Sequence, residues 1–283
     1  MFILQPGIAH EGAMAGAQLF VHALLPYLLP YIILTQWLLK MPTKQRITKP
    51  WRRFVKAYIL GSFGGFPVGA VTVSEMKKNG ELSQKQSAFL LAACHAPGPM
   101  FIIGFVGTEL FGQISLGWKL LAAIHIANIL FFLIALLFLS RDTHTASDLL
   151  QPTPKQIKAP LLEALKESSN VIILVATTVI FFSSLGMVLS TVLTSAFTVD
   201  MGIAKTIALS FFEMTSGVQS ATDHFFGQPI FPFLIAAIIS MNGLSIHMQV
   251  TVIAKSASIP MIPYYLGRIW SVALVPIIFY IIY

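Results

Sequence analysis

Apolar residues come in runs long enough to cross a lipid bilayer, separated by short polar and basic stretches. A spanning helix needs about 20 predominantly apolar residues. Six such runs are read, at 18–39, 86–111, 116–140, 171–197, 230–254 and 262–283. Two further apolar stretches, 57–75 and 204–222, are interrupted midway. In the first the interruption is Gly64-Gly65-Phe66-Pro67-Val68-Gly69, and in the second Thr215-Ser216-Gly217-Val218-Gln219-Ser220. Glycine and proline weaken helices, and irregular backbone at membrane depth survives only where it is buried in protein or lines a cavity.

Charge decides how these two stretches are disposed. If both were full spans, the loop bases would divide 10 to 7 between the two sides, with Arg268 left inside the membrane. If both are re-entrant hairpins, fifteen bases fall on one side: seven in 40–56, then Lys77, Lys78 and Lys85, then Arg141, Lys155, Lys158 and Lys166, then Lys255. Only Lys119 and Lys205 remain on the other. The positive-inside rule selects the hairpin reading. It places both termini outside, the 40–56 loop in the cytoplasm, and the two hairpin tips entering from opposite faces.

The expected fold is therefore all-α and membrane-integral, with about six transmembrane helices and two re-entrant helical hairpins. Each half reads span, hairpin, broken span, span. Three spans per half is an odd number, so the halves have opposite orientations, which makes them inverted-topology repeats. The predicted organisation is an N-terminal segment 1–17, a first repeat 18–140, a cytoplasmic linker 141–170 carrying Pro152, Pro154 and Pro160, and a second repeat 171–283. Inverted repeats with discontinuous helices are a signature of secondary transporters, whose site lies near mid-membrane where the breaks meet.

Composition narrows the field. The chain has 283 residues, 56% hydrophobic and 10% charged, where a soluble domain carries roughly 25% charged residues. The net charge of +7 sits between apolar runs, where orientation signals belong, so the lipid bilayer is the expected partner and nucleic acid is not. No charged n-region with a cleavage site opens the chain, so no removable signal peptide is expected. The lone Cys94 leaves no internal disulfide. H-E-x-x-H, G-x-S-x-G and P-loop patterns are absent. Cys94 and His95 are adjacent, so on a helix they face different directions and make a poor nucleophile–base pair. A non-enzyme is expected, without metal or organic cofactor, the only helper being a coupling cation or proton.

Candidate chemistry gathers at four breaks. Two are the hairpin tips, with Gly65, Phe66, Pro67, Val68 and Gly69 in one and Thr215, Ser216, Gly217 and Gln219 in the other. The third is Cys94-His95-Ala96-Pro97-Gly98-Pro99, and the fourth is Asn242-Gly243-Leu244-Ser245, followed by His247 and Gln249. Freed amides at half-helix starts attract anions and freed carbonyls coordinate cations; a single break can equally be a simple kink. Glu213, two residues before the second tip, is an intramembrane carboxylate and so a candidate for a coupling ion or proton. The alternative is a carboxylate paired with Arg268 or Lys205 for packing. Gln219, Asn242, Ser245 and Gln249 suit a small polar solute or interhelical hydrogen bonds equally. His95 and His247 occupy corresponding breaks, as anion donors, pH sensors or satisfied interior histidines. Glu75 and Glu109 are expected at the membrane interface. The basic segment 40–56, with Trp51 and Phe54, is either an inner-leaflet amphipathic element or a plain loop.

At these breaks the sequence resembles the sporulation integral membrane protein family of YlbJ type. The resemblance is carried by Gly65-Phe66-Pro67-Val68-Gly69-Ala70, Gly80-Glu81-Leu82-Ser83, Pro97-Gly98-Pro99-Met100-Phe101-Ile102, Glu213-Met214-Thr215-Ser216-Gly217 and Gly243-Leu244-Ser245-Ile246-His247-Met248-Gln249. It implies nucleoside-recognition or gate domains, similar in organisation to concentrative nucleoside transporters. It also implies a bacterial cell membrane or forespore-associated membrane, and movement of dipicolinic acid by alternating access. The competing expectation is a membrane scaffold or sensor that binds a nucleoside-like ligand or a partner protein. A homo-oligomer built through the first and sixth spans fits either reading.

Overall fold

The computed structural model describes residues 2–41, 50–139 and 159–283. Arg141, Pro152, Pro154, Lys155 and Lys158 of the expected linker, and the middle of the 40–56 loop, lie outside them. The described residues fold into helices: α1 (Pro6–Leu19), a π-helical turn π1 (Phe20–Leu24), α2 (Leu25–Lys40), α3 (Pro50–Gly64), α4 (Val68–Lys78), α5 (Gln84–Ala93), a second π-helical segment π2 (Phe101–Leu110), α6 (Ile114–Leu139), α7 (Pro160–Phe197), α8 (Met201–Phe212), α9 (Met214–Phe225), α10 (Phe231–Met241), α11 (Gly243–Ser256) and α12 (Ile262–Ile282). Among the described residues, five helical stretches are long and apolar enough to cross a membrane: the continuous Pro6–Lys40, α6, α7, α10 with α11, and α12. Ile129, Leu133 and Leu137 on α6, and Ile269, Ile277 and Ile281 on α12, face outward. Such exposed apolar faces need lipid to cover them. The chain is an all-α integral membrane protein.

Local sequence sets where the helices begin and stop. Pro6 and Pro160 open α1 and α7, where a missing N–H costs nothing. Ser83 and Gln86 form a reciprocal capping box at α5. The Asp200 carboxylate accepts from Gly202 N and Ile203 N to start α8. The expected second span, 86–111, is not one helix. Pro97 and Pro99 split it into α5 and π2, ten residues each, around an irregular Cys94–Gly98.

The expected N-terminal segment 1–17 is not separate either, because the first helix starts at Pro6. Gln5, His10 and Glu11 dilute the apolar run there, and a small-residue face extends the helix by packing. A Cβ on Gly12 would lie 2.7 Å from Met187 Cβ, and one on Gly16 2.7 Å from Ser183 Cβ. This is the close small-residue approach that joins membrane helices. Ser184 Oγ donates to Ala9 O (2.6 Å), Thr191 Oγ1 to Gln5 Oε1 (2.9 Å), and Lys40 pairs with Glu167 (2.7 Å). The first helix of each half thus runs antiparallel to the other along its full length. α7 also begins at Pro160, inside the expected linker.

The last helices of the two halves are antiparallel too. Trp270 Nε1, early in α12, donates to Ala127 O (3.0 Å) midway along α6, and the Tyr283 end meets Lys119 near the start of α6. Between these framing pairs sit two tight helical hairpins, α3–α4 and α8–α9. Their arms of 11 to 15 residues reach about 16–22 Å, short of the roughly 30 Å hydrocarbon core. The open end of the first is held beside the C-terminus of α11 by Lys77 Nζ donating to Ser258 O (2.7 Å). The open end of the second lies by the C-terminus of α7, where Thr194 meets Met201, and by Phe231 at the start of α10. The hairpins therefore enter the bundle from opposite ends.

Candidate functional site

Each hairpin tip is packed, backbone on backbone, against the helix break of its own half. Gly65 adopts φ +70°, and a Cβ there would sit 2.5 Å from Gly98 N. A Cβ on Gly69 would sit 2.6 Å from Cys94 O. Only glycine allows this conformation and this approach together. In the second half the roles recur. Asn242 and Gly243 take φ of 75° and 66°. A Cβ on Gly243 would lie 3.0 Å from Met214 N.

The second hairpin reverses at Glu213, earlier than the sequence suggests. The polar cluster Thr215–Ser220 forms the opening turns of α9. Serine and threonine are tolerated near a helix start, and Glu213 supplies the stop by capping α9: its Oε2 accepts from Ser216 N at 2.6 Å. Glu213 is 1% exposed. It pairs with neither Arg268 nor Lys205, since the ion pairs among the described residues are Lys40–Glu167, Lys56–Glu81 and Lys78–Glu75. The reversal can be this tight because Gly217 lies against Ser210, where a Cβ would come within 2.4 Å of Ser210 Cα.

The two tips, the first break and the helix after the second break line one small cavity. Phe66 comes from the first tip, Gly98 from the first break, Glu213 and Thr215 from the second tip, and Gln249 from the helix after the second break. The remaining wall is apolar and comes from the framing helices: Leu24 and Leu28 from the first, Val175 and Val179 from α7. Gln249 Nε2 donates to Thr178 Oγ1 (2.8 Å) and Ser245 Oγ (3.3 Å), and its carbonyl oxygen has no partner. A largely apolar chamber with a few converging polar groups is the ordinary form of a small-molecule site.

Other predicted residues support the chamber without lining it. His95 is 1% exposed, lies 4.4 Å from the Phe66 ring and meets Tyr264 edge-on at 5.1 Å. The Tyr264 hydroxyl shares hydrogen bonds with His247 Nδ1 (2.9 Å) and His95 Nε2 (3.4 Å). The histidines of the two corresponding breaks are thus joined through one tyrosine that sequence reasoning passed over. Ser216 Oγ pairs with Ser183 Oγ at 2.8 Å, and Pro67 and Val68 begin α4. Gln219 is not brought to the cavity; its amide donates to Asp223 Oδ1 at 2.9 Å. Asn242 turns toward a second, smaller cavity instead.

The apolar wall was also missed, because a leucine or valine in an apolar helix carries no mark of what it faces. A faint signal exists in geometry: Leu24 closes π1 and Phe101 opens π2, and both line the chamber. π-Helical turns gather at functional sites.

No family model matches the chain, and no solved structure matches it. It is similar to the sporulation integral membrane protein YlbJ of Bacillus subtilis (strain 168), with 25% identity over 140 residues. That alignment covers 45% of this chain and 34% of the relative, so the chain spans about a third of that protein's length. The likeness agrees with a membrane-integral protein similar to that one.

Proposed function

We propose that this chain is a secondary transporter for a small organic solute, working by alternating access around the cavity between the two tips. One observation carries the reading. Both hairpin tips, the first helix break and the helix that follows the second break, drawn in matching order from two halves with antiparallel framing helices, meet at that cavity. In a bilayer the hairpins are re-entrant, the halves are inverted repeats, and the basic ends of α2, α4 and α11 lie in the cytoplasm. Rocking one half against the other opens the chamber to alternate sides.

The lining fits a solute with a flat apolar body and few polar groups. Phe66 and Phe101 offer ring faces, Gln249 Oε1 a free acceptor, and Glu213 a charge that a proton or cation can cancel. Cancelling that charge as solute enters is the coupling step. Dipicolinate, the solute implied by the family resemblance, is the first to test: an anion of this kind enters beside Glu213 only once the carboxylate is neutralised.

The test is uptake of labelled dipicolinate into proteoliposomes, with unlabelled uridine as competitor. Uptake that uridine does not inhibit is expected. Uptake suppressed by uridine marks a nucleoside-like site. Saturable binding without uptake, from inserted protein, overturns transport and supports a membrane scaffold or sensor.

A further inference from the structure

Arg268 is 6% exposed, within the helix bundle, and no carboxylate answers it among the described residues. Its Nη2 donates to Ala92 O (2.9 Å), in the last turn of α5, and its guanidinium carbon lies 5.8 Å from the Tyr264 ring centroid. A helix C-terminus and an aromatic face each offset part of a positive charge. Neither removes it, and arginine cannot shed its proton to escape burial.

The same side chain lines a smaller cavity, with room for about one water-sized group, that abuts the larger chamber through Pro97. Asn242 also lines it, at 0% exposure. Asn242 stands close to Tyr264, yet neither of its amide atoms completes a hydrogen bond, and Arg268 Nε has no partner either. The other polar groups there are already engaged: Ser240 Oγ donates to Ala236 O (2.6 Å) and Ser271 Oγ to Gly267 O (2.9 Å). Ile124, Ile239 and Val275 complete the wall. The free groups are thus a fixed cation and an amide that can present its NH₂, inside an apolar shell. A water would satisfy the N–H groups but leave the charge. An anion does both, and the low dielectric strengthens the attraction.

We infer that Arg268 and Asn242 form a binding site for one small monovalent anion, a halide or the carboxylate of a small acid, behind the solute chamber. The break at Asn242 has a purpose in this arrangement: its left-handed backbone turns the amide out of the α10 ladder toward the arginine. The inference does not rest on transport.

The experiment is thermal unfolding of the purified protein in detergent, with sodium gluconate replaced stepwise by chloride, or in a second arm by formate, at constant ionic strength. A saturable rise of about 2–4 °C is expected for the wild-type protein. Arg268→Gln and Asn242→Leu should each weaken the apparent affinity at least about tenfold. A response to chloride identifies a halide site, and a response to formate alone identifies a carboxylate site; either supports the inference. A wild-type midpoint indifferent to both anions overturns it, as does an unchanged response in both variants. Should Arg268→Gln fail to fold, Asn242→Leu decides alone. The readout is binding, so a protein that never moves solute still gives a clear answer.

Discussion

Glu213→Ala and Glu213→Gln remove different things from the second hairpin, and the pair separates capping from coupling. Alanine deletes the oxygen that accepts from Ser216 N at 2.6 Å and leaves a buried N–H at the start of α9 without that partner. Losing such a cap costs about 0.5–2 kcal/mol, and leaving a buried donor unpaired about 1–3 kcal/mol. The two ranges overlap at roughly 1–2 kcal/mol, which lowers the melting temperature by roughly 2–8 °C. Glutamine keeps an oxygen in the same place and removes only the charge, so it should cost under about 1 kcal/mol. Thermal unfolding in detergent measures both. Uptake into proteoliposomes, across pH and sodium gradients, measures coupling. Glutamine is expected to fold and insert normally while its uptake is lost or becomes indifferent to the gradients. Glu213→Gln with wild-type uptake at every pH and sodium level would refute the coupling argument. An alanine variant as stable as wild type would refute the capping argument.

Gly217→Ala places a Cβ 2.4 Å from Ser210 Cα, so the α8–α9 hairpin must open; a loss of about 1–3 kcal/mol is expected in the same melting assay. Gly7→Ala is its control, since a Cβ there meets nothing within 4 Å, and helix propensity should make it neutral or stabilising by up to about 1 kcal/mol. Gly16→Val should separate α1 from α7, because its Cβ would fall 2.7 Å from both Ser183 Cβ and Oγ; accelerated proteolysis between residues 6 and 19 would reveal it. Tyr264→Phe removes the hydroxyl between His247 and His95 and should cost about 0.5–1.5 kcal/mol, with solute affinity reduced if the two breaks move as a unit.

The sequence by itself determined the class of molecule and the position of its irregularities. Runs of apolar residues near bilayer length mean membrane helices wherever they occur, because backbone polar groups in lipid must be satisfied within the segment. Gly65-Phe66-Pro67, Cys94–Gly98 and Asn242-Gly243 break their helices for equally local reasons: proline lacks an N–H, and glycine and asparagine accept positive φ. Matching order in the two halves was legible for the same reason.

Tertiary structure alone decided what those breaks do together. It brought tip onto break within each half, through glycine contacts that a linear pattern cannot specify. It placed the Thr215–Ser220 cluster inside α9 and moved the reversal to Glu213, because capping and the Gly217–Ser210 approach outweigh the apparent weakness of a polar run. It drew Pro6–Leu19 into the bundle against α7, and it set Leu24, Leu28, Val175 and Val179 around the chamber. It also separated Arg268 from Glu213, lining two cavities with one buried ionisable residue each. Which apolar residue faces a neighbour, which faces lipid and which faces a cavity depends on helix rotation and on contacts between residues far apart in sequence. One-dimensional hydropathy assigns all three the same value.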